Sequence, residues 1–472
     1  MQRAAAKDGA GRPPGVFDGT HRRTTTGLLM LVTFIAFEAM AVATAMPTVV
    51  AELSGLAWYG WAFTGFLVAQ VVGMVLGGDV GDRRGPRASL LWGVAAFAAG
   101  LLIAGTAVDM AVLVGGRLVQ GLGAGLIAVS LYVVAGQAYE PSLRPRLFGA
   151  MAAAWVLPAL VGPLISGLVT EHAGWRWVFL GLIPLVASGL VLTLPALRGL
   201  TAPAGRTAVA AGRRWWALLA GAGIGALQYA GQRLDLVAVV VAVGGLGALL
   251  LGLRMLLPSG TARVARGLPA VVATRGLLAG SFFGMDALLP LTLTQLHGYG
   301  PAAAGVPLTA GALGWAAASH LQGRRPDLSR VVLLRIGFLL VAAGLAGTAV
   351  VAVPGAGGWP AYVTWAVAGL GMGLGMPSAG VLLLERSPEH RRGADSAAFQ
   401  IADVTGSALC VGLTGVLVAA AASGLAPLWA AVLVADAVLT VLALVGAAVA
   451  PRAGAVAVTE EPAELATTLG TP

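Results

Sequence analysis

Long apolar runs separated by short polar breaks set the pattern of this chain. The runs lie near 26–47, 59–80, 88–108, 111–137, 146–170, 175–197, 215–231, 236–257, 270–296, 301–322, 330–353, 359–384, 394–422 and 425–450. Most are about 20 residues or longer, the length at which an α-helix crosses a hydrocarbon core. They are continuous rather than alternating, and too long for barrel strands. Lipid leaves no partner for a bare backbone, so the pattern predicts fourteen transmembrane helices. The run at 215–231 is the shortest. It ends at Gln232-Arg233-Leu234-Asp235, so it and its neighbour form the least regular pair.

The breaks carry a direction. With the N-terminus placed in the cytoplasm, cytoplasmic segments hold 26 of the 29 Lys and Arg residues. The external loops hold Arg176 and Arg233, and Arg117 falls inside a span. Alternation of this kind predicts an even number of spans with both ends inside. Removing the central pair leaves twelve, which satisfies the same rule. Residues 1–25 and 451–472 read as disordered cytoplasmic tails, the first of them basic. The first apolar run is too long for a signal-peptide core, so it is expected to remain as a span.

Composition supports the class. Hydrophobic residues make up 58% of the chain and charged residues 10%. A soluble domain carries about 25% charge. The net charge of +9 comes from short interfacial loops, which is topology and not a nucleic-acid face. The single cysteine, Cys410, lies in an apolar run and reads as a packed thiol. No metal-ligand cluster, phosphate loop or nucleophile constellation stands out, so neither cofactor, metal nor catalysis is expected.

The chain repeats itself. Gly121-Leu122-Gly123-Ala124-Gly125 returns as Gly369-Leu370-Gly371-Met372-Gly373, an offset of 248. At that offset Ser130 meets Ser378, Arg144 meets Arg392 and Glu38 meets Asp286. This predicts an N-terminal six-helix bundle (26–197), a linker with two extra helices (198–269) and a C-terminal six-helix bundle (270–450).

Several motifs bear on identity. The segment Gly78 to Arg87 has the form Gly-x-x-x-Asp-Arg-x-Gly-x-Arg, through Asp82, Arg83 and Gly85. It resembles the loop between the second and third helices of major facilitator superfamily transporters. Arg117-Leu118-Val119-Gln120-Gly121-Leu122-Gly123 is similar to a motif of that superfamily's drug:proton antiporters. Pro158, Gly162, Pro163 and Gly167 fall on their fifth-helix antiporter motif, with Pro158 and Ser166 replacing two glycines. Glu38, nine residues before Pro47, stands where the 14-helix branch typically has an Asp. Trp61, Thr64 and Phe66 resemble the start of that branch's second helix, and Gly174 to Phe179 the start of its sixth.

The resemblance implies the major facilitator fold, a monomer in the plasma membrane, and proton-coupled efflux of hydrophobic or cationic small molecules. Glu38 is then the leading proton or cation site and Asp286 the second. Arg117 and Gln120 modulate them, and Asp403 is a further candidate. Gly78, Asp82, Arg83, Gly85 and Arg87 form a cytoplasmic gate. An acid inside a span is costly and is a functional candidate by default. A plain helix–helix hydrogen bond remains the alternative for each. Export of a lipid or amphipathic metabolite, solute import, and a non-transporting membrane sensor remain alternatives for the whole chain.

Overall fold

A computed structural model describes residues 15–19, 21–140, 142–198, 200, 210–233, 235–325 and 327–454. Most of both predicted tails and much of 198–209 lie outside that set. The described residues form helices and short connections, with no strand. The helices are α1 (His21–Glu52), α2 (Tyr59–Arg84), α3 (Pro86–Gly105), α4 (Met110–Ala138), α5 (Arg144–Ala153), α6 (Val156–His172), α7 (Arg176–Leu180) and α8 (Leu182–Leu197). They continue with α9 (Ala210–Ala230), α10 (Leu236–Leu256), α11 (Leu268–His297), α12 (Pro301–Gly323), α13 (Arg330–Ala352), α14 (Pro360–Arg386), α15 (Arg392–Ala422) and α16 (Leu428–Val449).

Two predicted spans are broken, each about one turn before a proline. Pro158 cannot donate to the carbonyl four residues back, at Ala154, where α5 ends and α6 follows. The Thr33 hydroxyl donates to that carbonyl instead, at 3.4 Å. Pro184 leaves Leu180 in the same position, where α7 gives way to α8. Joining each broken pair gives fourteen rods, as the apolar runs predict. Twelve of them are long and apolar enough to cross a membrane by themselves. The exceptions are α9, which opens on Arg213 and Arg214, and α12, which is rich in Ala and Gly and ends through His320 and Gln322. Both lie against other rods: α9 on α10 and α2, α12 on α14 and α6.

Local chemistry sets the ends. Asp109 and Asp235 cap α4 and α10, accepting from the amides of Val112 and Ala238 at 2.8 and 2.7 Å. Pro opens α3, α11, α12 and α14, where its missing N–H costs nothing. Gly85 ends α2 at φ +82°, a conformation that favours glycine.

This corrects one expectation. The segment from Gly78 is not an extended loop: α2 runs helical to Arg84, and only Gly85 separates it from α3.

The glycine repeat becomes a packing repeat. On α4, Gly121 and Gly125 press on the backbone of α2, and Gly123 on α3. On α14, Gly369 and Gly373 press on α12, and Gly371 on α13. The same three-helix arrangement thus occurs twice. Rods α1–α8 pack mainly among themselves, as do α11–α16, and two seams join them: α2 with α15, and α6 with α12.

The chain passes back and forth, so both described ends lie on one face, called here the termini face. Both seams are tight at the opposite, distal face. There a Cβ on Gly60 would lie 2.5 Å from the Gly415 Cα, and one on Gly305 2.8 Å from the Pro163 carbonyl oxygen. Toward the termini face, Gly78, Gly81, Gly323 and Gly393 have open space around them.

Candidate functional site

The core of the first half holds a charge network. Arg117 reaches from α4 to α1 and pairs with Glu38. Its Nε donates to the carbonyl of Ala62 on α2 at 2.9 Å, and its Nη1 to Gln120 Oε1 at 2.9 Å. The guanidinium also sits 4.3 Å from the centre of the Phe66 ring. Glu38 and Gln120 are fully buried and Arg117 is 2% exposed. One turn of α4 therefore brings Arg117 and Gln120 to the same face, as their spacing predicts. Arg117 makes contact with the acid itself, rather than acting from a distance. Gln120 also lies within hydrogen-bonding reach of the Glu38 carboxyl group.

Asp286 is different. It lies on α11, buried to 9% exposure, and no Lys, Arg or His among the described residues pairs with it. Its neighbours are the Tyr59 ring, from α2, and the Trp365 indole, from α14. Tyr59 donates to the carbonyl of Ala287. Pro290 cannot donate to the carbonyl of Asp286, so that oxygen is free of the helix ladder. Aromatic rings gather one turn away. Phe282 stacks on Trp365 at 4.7 Å between centroids and meets Trp315 edge-on at 5.9 Å, with Phe283 alongside. A carboxyl group without a counter-ion, with aromatic rings one turn away, is a setting that favours a cation.

Asp403, on α15, is paired with Arg275 of α11 at 2.7 Å. Both are partly exposed, at 16% and 19%, and Arg275 lies over Phe399. Arg275 counted as a loop charge in the sequence, but it stands a full two turns inside α11.

The expected gate residues lie at the end of α2 and the turn after it. Arg83 pairs with Asp79 at 2.9 Å, one helical turn back, and Asp82 is exposed. Arg214 of α9 approaches the same Asp79, at 3.9 Å. Gly78 meets nothing; its neighbour Gly77 is the one that packs on α4, with Leu126. Arg87 is exposed, and Gly85 makes the turn. In α6, Gly162 lies against Met40 of α1 and Gly167 against the backbone of Ala302 in α12, with Pro163 between them on the α12 seam. Pro158 is buried at the helix break.

One intramembrane acid escaped the sequence reading. Asp436, in α16, is 1% exposed. Its Oδ1 lies 2.9 Å from the Thr348 hydroxyl of α13, which also donates to the Leu345 carbonyl at 2.7 Å. The signal was available: a lone Asp in the apolar run 425–450.

Comparison with known proteins agrees with this architecture. The Major Facilitator Superfamily model matches residues 28–359. A probable multidrug-efflux transporter of Mycobacterium tuberculosis is 29% identical over 403 residues, covering 80% of this chain and 84% of that protein. An uncharacterized MFS-type transporter of the same organism is 33% identical over 178 residues, 38% of this chain; the match spans only 26% of that relative's length. In the crystal structure of an auto-inhibited POT family peptide transporter, a chain superposes with a TM-score of 0.63 at 15% identity, covering 90% of this chain and 97% of that one. That likeness is one of fold. The repeated three-helix packing, the two seams and the match over 28–359 lead to one conclusion: this chain is a multi-pass membrane transporter belonging to the major facilitator superfamily.

Proposed function

We propose that the protein is a proton-coupled exporter of hydrophobic cations, in the plasma membrane, with the termini face in the cytoplasm. The observation that carries this reading is the contrast between its two related acids. Glu38 has its cation built in, as Arg117. Asp286 has none, and stands among Tyr59, Trp365 and a cluster of rings. A single carboxyl group can hold a proton or a cationic substrate, but not both. If it meets one side of the membrane and then the other, it exchanges the two. Asp286 is therefore the exchanging group, and Glu38 with Arg117 and Gln120 holds the first half in shape around it. The name of the M. tuberculosis relative supports efflux of drug-like molecules.

The distribution of arginines supports the orientation, since they favour the cytoplasmic side. In the arrangement seen, the distal seams are closed, and a cytoplasmic substrate would enter from the termini face.

A second reading has an observation of its own. An apolar crevice between α1, α6, α7 and α8 is lined by Phe37, Val169, Trp177 and Leu185. Such a crevice suits an amphipathic molecule arriving from the bilayer.

Reconstitution in liposomes with an imposed pH gradient, using cationic and neutral hydrophobic dyes, tests the proposal. The wild type should move cationic dyes in response to the gradient, and Asp286→Asn should not. Gradient-driven transport of the cationic dyes by Asp286→Asn at the wild-type rate would overturn it. Movement of neutral amphipathic dyes alone would favour the second reading.

A further inference from the structure

The two seams between the halves are related by the internal repeat, yet they are not equal. Gly167 and Gly415 stand at the repeat offset of 248, and each touches the opposite half near the distal face: Gly167 the backbone of Ala302, Gly415 that of Gly60. The α2–α15 seam has an element of the extra hairpin laid along it, whereas helix α1 lies against the α6–α12 seam. Helix α9, from the extra hairpin, packs on both α2 and α15. It is tied to α2 at both ends. Arg214 approaches Asp79 at the termini face, and Trp61 Nε1 donates to Gln232 Oε1 at 3.2 Å near the distal face. Its hold on α15 is apolar: Gly231 meets Val416, and Ala217, Ala220 and Ile224 share a cluster with Ile401, Val404 and Ala408.

Between these contacts α9 sends one polar side chain into the seam. Gln228 is 2% exposed. A Cβ on Gly412 would lie 2.7 Å from its Oε1, and Cβ atoms on Gly60 and Gly415 would lie 2.8 and 3.0 Å from its Nε2. Glycine at all three positions is what makes room for it. Yet among the described residues neither the amide oxygen nor the amide nitrogen has a hydrogen-bond partner, and the buried Thr64 hydroxyl beside it has none either. A primary amide offers two donors and an acceptor, and stripping them of partners in a closed space carries a full desolvation cost. The walls are too close for a substrate. The cost can be relieved by parting α2 from α15, which lets water reach the amide while α9 stays with α2.

We propose that Gln228 sets the balance of the distal gate, as a positioning residue supplied by the extra hairpin. Glycine-on-glycine packing makes the closed seam tight. The stranded amide raises the energy of that closed state and keeps the open state within reach. The hairpin thus has a role in the transport cycle that the twin seam, α6 with α12, performs without a wedge. The inference rests on alternating access between the two halves, not on which substrate or ion is carried.

The test is a distance distribution across the distal mouth. Spin labels at Val108→Cys and Leu425→Cys, both well exposed in distal loops, are placed in full-length protein carrying Cys410→Ala. Pulsed electron resonance is recorded in nanodiscs with neither substrate nor pH gradient, so failure of the proton-exchange reading does not affect the outcome. The wild type should show a short and a long distance. Gln228→Met, which keeps the length and removes the amide, should lower the long-to-short ratio about tenfold. Gln228→Asn, which keeps an amide, should remain near the wild-type ratio, a difference that a packing role alone would not produce. Gln228→Leu serves in place of the Met variant if that protein does not fold. An unchanged or increased long-distance fraction in the apolar variant would overturn the proposal. So would a wild-type distribution with no long component.

Discussion

Glu38 and Arg117 show how much a single buried pair can govern. Both are out of contact with solvent, and the guanidinium is satisfied by Glu38, Gln120 and the Ala62 carbonyl together. Removing one partner leaves the other charge stranded, at a cost of about 3–5 kcal/mol. Replacing both by apolar side chains of similar volume leaves nothing stranded. Glu38→Gln should therefore lower thermal stability in detergent by several degrees, and Glu38→Leu with Arg117→Met should regain most of it. Equal loss in the single and the double variant would show that the pair is not the source. Asp286 has no cation to strand, so Asp286→Asn should melt close to the wild type. The same assay thus separates the structural acid from the proposed exchanging one.

At the level of the helices, the sequence was legible where physics acts locally. Apolar runs marked the fourteen rods because each must cross lipid alone. The glycine repeat marked a duplication, and it reappears as matched close packing of α4 and α14. What could not be read depended on partners distant in the chain. Helix breaks at Ala154 and Gly181 fall before Pro158 and Pro184, yet Pro47, Pro163 and Pro290 lie inside unbroken helices, so proline alone does not decide. The pairing of Asp403 with Arg275, and of Arg83 with Asp79, rests on side-chain reach across or along helices. Asp436 was overlooked for want of a motif, although its place in an apolar run was signal enough. Close packing also yields a prediction. A Cβ on Gly121 would overlap the Phe66 carbonyl, and one on Gly369 the Gly311 carbonyl, whereas Gly115 faces open space. Gly121→Ala and Gly369→Ala should each destabilise by about 1–3 kcal/mol and Gly115→Ala should not. Thermal melts of the three purified variants check this, and equal melting temperatures would contradict it.

For the whole molecule, two related halves meet at two seams, closed at the distal face and looser toward the termini. The likeness of the halves suits rocking about a central site. The first half carries an acid paired with Arg117. The second carries an acid with no counter-ion among the described residues, beside Tyr59 and Trp365. The extra hairpin lies along the α2–α15 seam, mostly on α2. Internal repeats about a site near the midplane are a common plan among secondary transporters. Here the repeat is unequal in chemistry while alike in its glycine packing, which is why the matched glycines made the fold legible but the matched acids did not show that only Glu38 is paired with an arginine.

The central claim is that Asp286 trades a proton for a cation. Proton release on cation binding measures this directly, in purified protein in a weakly buffered solution with a pH indicator. The wild type should release protons in proportion to the cationic dye bound, Glu38→Gln should still do so if folded, and Asp286→Asn should bind without release. Undiminished proton release from Asp286→Asn would contradict the account.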